Sequence, residues 1–417
     1  MRVRVDTLGC RVNRYDSAAL RGELAARGWD VVDEGATGFD VYVLNSCTVT
    51  QAADAEARGL VARVRRQAPG ARVVVTGCWA ETAAEKVTRL PVDLVVGNTG
   101  KPELAARIDA LVGREPAPAP APADPEPFPD GGGATRFFFK VQEGCDVRCS
   151  FCIIPDARGH ARSLDPERVV ETVRRAGERG FREVILAGIH LGAYGRDQPH
   201  APTLAGLVRR VLRETRIERV RLGSLEPWGV RPELLALLRH EPRFLPMLHL
   251  PLQSGSERIL RAMRRPITAA RYLAVVEQVF AARPELALYL DVLVGFPGES
   301  DADFAATVRF LDQFPWTKLH VFPYSARPGT PAAALPDQVP PALKKERVRL
   351  LVDASDARFC ARMAARVGSD DEVLVEQDAS GHTRDHFPCR VAGAARGALV
   401  RVHLGGLTPE RTQLLAS

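Results

Sequence analysis

The sequence predicts an α/β chain in three parts: an N-terminal doubly wound α/β domain, a central partial (βα)6 barrel and a small C-terminal β-barrel. Three observations predict it. Apolar, β-branched runs alternate with helix-period segments along most of the chain. One stretch rich in Pro, Ala and Gly interrupts that alternation, and past about residue 371 the pattern shortens to brief strands joined by Gly-containing turns.

Before the interruption, strands are expected near 3–8, 41–45, 72–76 and 92–96, with helices near 15–28, 51–67, 80–89 and 101–112. This alternation builds a small doubly wound sheet. Residues Glu115 to Gly133 have no hydrophobic period and read as an extended linker. After it, strands near 136–141, 183–187, 219–223, 247–250, 287–294 and 317–322 each adjoin a helix-like segment. Six βα units make an open barrel, whose working residues belong at strand C-termini and leave room for a macromolecular substrate. Short strands at Glu372–Glu376, Phe387–Val391 and Leu399–Leu404 then suggest a barrel of the kind that binds oligonucleotides. The domain limits are accordingly 1–113, a linker at 114–134, 135–368 and 369–417.

Cysteine spacing carries the chemistry. Cys145, Cys149 and Cys152 form a CxxxCxxC run just past the first barrel strand. Three thiolates on a cubane that needs four ligands leave one iron open to chelate a substrate or cofactor. The alternative is a zinc site, but zinc clips pair CxxC with a second CxxC or HxxxH at a distance. Cys10, Cys47 and Cys78 each stand where a strand-like run ends and a polar helical segment begins. Carboxyl ends of parallel strands line one crevice, so these three could converge on a second cubane; equally, each could be a small buried hydrophobe. Cys360 and Cys389 match no cluster spacing and read as structural.

No signal peptide, lipidation motif or long apolar run is visible, which predicts a cytoplasmic protein with no membrane attachment and reduced thiols. The net charge of +6 permits a polyanionic partner, but 51 of the 57 basic residues are Arg in an Ala- and Pro-rich chain, so charge alone does not establish nucleic-acid binding.

The motifs resemble those of the methylthiotransferases, a family of radical S-adenosylmethionine (radical-SAM) enzymes. Thr7-Leu-Gly-Cys-Arg-Val-Asn-Arg-Tyr-Asp-Ser17, Asn45-Ser-Cys-Thr-Val-Thr50 and Val75-Thr-Gly-Cys-Trp-Ala-Glu81 are similar to that family's three N-terminal cysteine motifs, in order. Gly144-Cys-Asp-Val-Arg-Cys-Ser-Phe-Cys-Ile-Ile-Pro-Asp-Ala-Arg-Gly159 is similar to its central motif, with Phe151 before the third cysteine. The first two motifs are most similar to the branch acting on N6-threonylcarbamoyladenosine of tRNA.

The resemblance implies a C-terminal TRAM domain and two [4Fe–4S] clusters, one on Cys10, Cys47 and Cys78 and one on the catalytic triplet Cys145, Cys149 and Cys152. S-adenosylmethionine would chelate the open iron of the second and be cleaved to a 5′-deoxyadenosyl radical that takes hydrogen from C2 of the adenine. That cleavage needs the low end of the roughly −700 to +450 mV range of biological clusters. The first cluster would carry the methylthio group. Partners implied are tRNA, a flavodoxin- or ferredoxin-like electron donor and a sulfur source. The competing readings are the same chemistry on isopentenyladenosine or a ribosomal-protein aspartate, and a non-catalytic iron–sulfur RNA-binding sensor.

The family's barrel order places S-adenosylmethionine contacts at Phe151, Gly188, Ser224, Glu226 and Gly295, with loop capping as the alternative for Ser224 and Glu226. His190 reads as structural or substrate-side, and Gln253 and Ser254 as polar contacts or a turn. Asp16 is either a helix-start residue or a support for the first cysteine motif. Arg158, Arg162, Arg264, Arg265 and Arg327 are candidates for phosphate contact, against ordinary solvated side chains.

Overall fold

Val41–Ser46 is buried along its whole length because it is the middle strand of a five-stranded parallel sheet, covered on both faces. In chain order the strands are β1 (Arg2–Thr7), β2 (Asp30–Val32), β3 (Val41–Ser46), β4 (Arg72–Gly77) and β5 (Leu94–Val96), lying side by side as β2-β1-β3-β4-β5. Strand alternation sends Val3, Val5, Val41, Val43 and Val74 against Leu20 and Leu24 of one helix and Leu104 and Ile108 of another. It sends Tyr42, Leu44, Val73 and Val75 to the other face, against Ala57, Val61, Val64 and Trp79. The sheet is thus doubly wound, and both faces read as apolar runs.

The computed structural model describes residues 1–115, 135–377 and 379–416, so most of the expected linker lies outside the described residues. They divide into two units. One takes residues up to 115 together with Glu143–His160 and Ser325–Ala333; the other takes 135–142, Ala161–Tyr324 and the rest of the chain. The CxxxCxxC segment therefore packs with the N-terminal sheet rather than with the strands that follow it in sequence.

In the second unit, β6 (Arg136–Glu143), β8 (Glu183–Gly188) and β9 (Arg219–Leu222) pair in parallel, with β7 (Arg162–Ser163) at the edge of β6. β10 (Met247–His249), β11 (Ala287–Val294) and β12 (Lys318–Pro323) form a second parallel group. Single bridges Val220–Phe244 and Ser224–His249 continue the order from β9 to β10. Six parallel strands in sequence order make the open arc that the βα alternation predicts. Helices start where side chains can cap them: Asp165, Thr203, Ser256, Thr268 and Ser300 each accept a hydrogen bond from a first-turn N–H.

The C-terminal segment closes into a five-stranded barrel, β13 (Asp370–Gln377), β14 (Ser380–His382), β15 (Pro388–Arg390), β17 (Leu414–Ala416) and β16 (Leu399–Leu407), in that spatial order. Val373, Val375, Phe387, Cys389, Leu404 and Leu414 fill it. Cys389 is a wall residue, and burial pushes its thiol up to about 11. Among the described residues no helix is long and apolar enough to cross a membrane.

Several expectations need correction in detail. Four strands were not anticipated, β2, β7, β14 and β17, each two or three residues long and too short to show alternation. The first helix begins at Arg11 rather than near 15, with Cys10 at its N-cap. The helix expected over 80–89 is two short ones, Cys78–Thr82 and Ala84–Thr88, broken at Ala83.

The strands' N-terminal ends carry buried charge. Glu183, Arg219 and Arg221 are each 1% exposed, with Glu183 paired to both guanidiniums. Arg219 continues to the Glu372 carboxylate at 3.1 Å and to its carbonyl at 2.5 Å, and Arg136 pairs with Glu376. The C-terminal barrel is thereby seated on the starts of β6, β8 and β9. Glu183→Ala leaves two buried cations short of their carboxylate, a loss expected at about 3–5 kcal/mol. Urea unfolding should show a lower midpoint for Glu183→Ala than for wild type, with Glu183→Gln between them.

Candidate functional site

Three adjacent strands deliver Cys10, Cys47 and Cys78 to one edge of the N-terminal sheet. Register sets Thr7 beside Asn45 and Asn45 beside Thr76, then Ser46 beside Gly77, so the chain leaves β1, β3 and β4 at the same level. Cys47 follows Ser46 directly and Cys78 follows Gly77. Gly9 turns the chain with φ +97°, and a Cβ there would stand 2.6 Å from Cys47 Cβ and 2.8 Å from its sulfur. Only glycine lets the first motif lie this close to the second. Burial pushes the Cys47 thiol up to about 11; the Val49 N–H opposes this, and the neighbouring Cys78 and Cys10 add to it. All eight cysteines are free thiols.

The asparagines of the motifs hold these turns together. Asn13 donates to the carbonyls of Leu8 (2.8 Å) and Ser46 (3.1 Å), joining the first turn to the second. Asn45 donates to the Asn13 carbonyl and to Ser17 Oγ, both at 2.9 Å. Asn98, which sequence reading did not single out, donates to Cys78 Sγ at 3.4 Å and to the Ala157 carbonyl at 2.7 Å.

Cys145, Cys149 and Cys152 lie on the loop between β6 and the helix Ile154–Arg158. Gly144, at φ +70°, presses its Cα onto the carbonyl of His160, leaving no room for a side chain. The Cys145 N–H donates to Gly159 at 3.0 Å and the Cys152 N–H to Cys149 at 3.1 Å, closing the loop on itself. Arg158 ends the helix as a buried cation. It donates to Glu143 at 2.8 Å, to Asp16 at 3.2 Å and to Asn13 Oδ1, and Lys101 also reaches Asp16 at 2.7 Å. Burial works against its charge, but Cys78, Glu143 and Asp16 together outweigh that. Both cysteine triplets thus belong to one unit, and Arg158 and Asn98 join them.

The donor set of each triplet, three thiolates, fits a cubane, which takes each thiolate on a different iron and leaves a fourth iron open. Beside the sulfurs, Asn45 Oδ1, Thr76 Oγ1 and Asn98 Oδ1 are buried and have no hydrogen-bond partner among the described residues. Buried polar atoms left so are rare and mark a place where a further polar group belongs.

The second unit holds the other expected contacts. Gly188 ends β8, where a Cβ would stand 2.9 Å from Gln142 Cβ; Gln142 in turn accepts the His190 N–H at 2.7 Å. Ser224 bridges to His249. Glu226 accepts the Gly192 N–H at 3.3 Å, so the loops after β8 and β9 are linked. Trp228 donates to His190 Nε2 at 3.3 Å, and Glu226 Oε2 lies 3.7 Å from the same nitrogen. Gly295, at φ +71°, packs on the Lys344 stem and donates to Glu299 at 2.7 Å. Ser254 serves the turn: its Oγ lies 3.2 Å from Thr307 Oγ1 and accepts the Ser256 N–H at 3.1 Å. Phe151 is half-buried and belongs to the other unit.

Two of the arginines expected at phosphates are corrected by the structure. Arg158 and Arg327 are 4% and 5% exposed, and Arg327 donates to Thr48 Oγ1 at 2.5 Å and Asp54 at 2.7 Å. Both hold the cysteine-bearing turns in place. Arg162 and Arg264 are exposed, and Arg265 covers the Trp228 ring at 4.7 Å.

Comparison with known proteins agrees with these features. Residues 139–311 match the Radical SAM superfamily, and residues 2–97 match Uncharacterized protein family UPF0004. The chain is 37% identical over 411 residues to the threonylcarbamoyladenosine tRNA methylthiotransferase MtaB of Aquifex aeolicus, covering 96% of this chain and 100% of that protein. The Bacillus subtilis protein of the same name is 38% identical over 390 residues, 91% of this chain and 85% of that one. A tRNA-2-methylthio-N(6)-dimethylallyladenosine synthase of Thermobifida fusca is 36% identical over 403 residues, covering 94% and 81%. Among solved structures, the radical S-adenosylmethionine methyltransferase TsrM of Kitasatospora setae has a TM-score of 0.58 at 17% identity, over 80% of this chain and 75% of that one, which is a likeness of fold.

Glu226 gives the site a pH signature. Burial pushes its carboxyl up to about 7 from an ordinary 4.5, against the pull of its own and the Gly192 N–H and of Arg265 and Arg196. As pH rises the unfolded chain ionises first, so stability falls from about pH 4.5 and levels off above about pH 7, by about 3 kcal/mol. Glu226→Gln should remove this fall; urea unfolding of both proteins between pH 5 and 8 measures it.

Proposed function

The chain belongs to the methylthiotransferase family of radical-SAM enzymes, in its MtaB branch, and from that premise we propose that it converts N6-threonylcarbamoyladenosine at position 37 of tRNA to the 2-methylthio derivative. The observation that carries the chemistry is the joining of two cysteine triplets in one unit. The substrate rests on likeness, over nearly the whole chain, to proteins named for that reaction.

In this reading Cys145, Cys149 and Cys152 hold one [4Fe–4S] cluster and Cys10, Cys47 and Cys78 a second. When bound, the clusters and S-adenosylmethionine supply the reducing electron, the hydrogen acceptor and the methylthio group. The chain's own residues set the conditions. Asn98 directs an N–H at the Cys78 sulfur, and the Arg158 guanidinium adds positive charge near it. Gly9 and Gly144 let the backbone close around the sulfurs. Gly188, Ser224, Glu226 and Gly295 sit at the C-terminal ends of β8, β9 and β11 or just past them, where a barrel of this kind binds its ligand. Phe151 flanks the third cluster cysteine. Glu226, with a carboxyl poised near neutrality, is suited to an amine or a ribose hydroxyl.

The C-terminal barrel, which displays Arg390, Arg401 and Arg411, is read as a TRAM-like RNA-binding domain. A flavodoxin- or ferredoxin-like donor and a sulfur source complete the reaction, and a tRNA substrate places the enzyme in the cytoplasm.

Nucleoside mass spectrometry of tRNA from cells lacking the gene should show loss of 2-methylthio-threonylcarbamoyladenosine, restored by complementation. Loss of the dimethylallyl product instead would move the enzyme to the other tRNA branch and leave the chemistry standing; no change in either would overturn a tRNA substrate. Anaerobically reconstituted protein should hold about eight irons per chain, and the variant with Cys145, Cys149 and Cys152 all replaced about half. Cys10→Ala should still cleave S-adenosylmethionine while making no methylthio product, as assayed by chromatography of both reactions.

A further inference from the structure

A separate set of metal-ligating side chains lies in the second unit, on β10, β11 and β12. Register pairs His249 with Tyr289 and Asp291 with His320, and residues two apart on a strand share a face, so His249, Asp291 and His320 project from the same side of the sheet. His249 Nε2 stands 2.8 Å and His320 Nδ1 3.3 Å from one oxygen, Asp291 Oδ1, and the three donor atoms all lie within 4.8 Å of one another.

A tetrahedral ion with bonds of roughly 2.0–2.1 Å keeps its ligand atoms roughly 3.3 Å apart, so the His320 to Asp291 separation of 3.3 Å matches the required edge and the His249 to Asp291 separation of 2.8 Å has only to widen slightly. The two imidazoles stand edge to face with centroids 5.0 Å apart, each with one nitrogen turned to Asp291. None of the three is sealed off: their side chains are 17%, 19% and 41% exposed in the order His249, Asp291, His320. His320 also lines a cavity with Tyr289, His382 and His386, which gives an ion and a further ligand a way in.

We propose that His249, Asp291 and His320 bind one divalent transition-metal cation of the zinc type, with at least one coordination position left open. Two imidazoles and a carboxylate suit zinc or ferrous iron, whereas magnesium and calcium take oxygen ligands. The open position accepts an oxygen donor, a water or a carboxylate. The site uses none of the six cluster cysteines, and it stands whether or not the substrate reading does.

The test uses the full chain with both clusters reconstituted, so that the cysteines are already engaged. The protein is equilibrated with zinc sulfate, desalted and analysed by inductively coupled plasma mass spectrometry. Wild type should retain one zinc per chain beyond its iron; His320→Ala and Asp291→Asn should lose it, with at least a tenfold weaker zinc affinity and unchanged iron. Equal zinc in wild type and both variants, or none in wild type, overturns the proposal. If a variant also loses iron, X-ray absorption at the zinc edge of the wild type decides. A first shell of nitrogen and oxygen supports the site, and sulfur in that shell refutes it.

Discussion

Arg158 is buried with carboxylates from two parts of the chain, Glu143 at the far end of the CxxxCxxC loop and Asp16 from the first cysteine motif. A buried ion pair adds little net stability against a well-packed apolar alternative, yet removing one partner costs about 3–5 kcal/mol because the other charge is left without compensation. That asymmetry makes Arg158 a specifying contact: the segment bearing Cys145–Cys152 has one low-energy place to sit, against the turn bearing Cys10. Asn13 shares the same guanidinium while tying Leu8 to Ser46, so all the cysteine-bearing segments but that of Cys78 meet in one hydrogen-bonded set. Asn98 brings in Cys78.

The backbone has been shaped to let this set close. Gly9, Gly77 and Gly144 adopt positive φ at the points where a side chain would strike a neighbouring turn. These are not general loop glycines. Each stands immediately before a cysteine, where the chain must change direction within one residue of the sulfur it presents. Arg327, from a segment more than 270 residues away in sequence, reinforces the turn after Cys47 through Thr48 and Asp54.

The fold class was legible in the sequence, because βα alternation is a property of runs of ten or more residues and survives errors at the ends. That the turns bearing Cys10, Cys47 and Cys78 leave one edge of the sheet was legible because each follows a strand-like run. What could not be read were features decided by tertiary packing. β2, β7, β14 and β17 exist only because a longer neighbour offers its edge. Arg158 and Arg327 look like any other arginine in a chain with 51 of them, and only the fold shows that they are buried. Asn98 has no motif at all, and its role follows from β5 ending next to Cys78. The grouping of the CxxxCxxC loop with the N-terminal sheet also runs against chain order, since β6 leads directly into it.

The buried charges of the second unit settle a question of reach. Glu183, Arg219 and Arg136 stand at the starts of their strands and bind Glu372 and Glu376 of the C-terminal barrel directly or through Arg219. Gly188, Ser224, Glu226 and Gly295 stand at the other ends. A strand of six residues such as β8 spans roughly 20 Å at about 3.3 Å per residue, and a single base is far smaller than that. The C-terminal barrel therefore meets these strands at the end remote from Gly188, Ser224, Glu226 and Gly295, and a ligand at the strand C-termini is met by the loops after β8, β9 and β11 and not by that barrel.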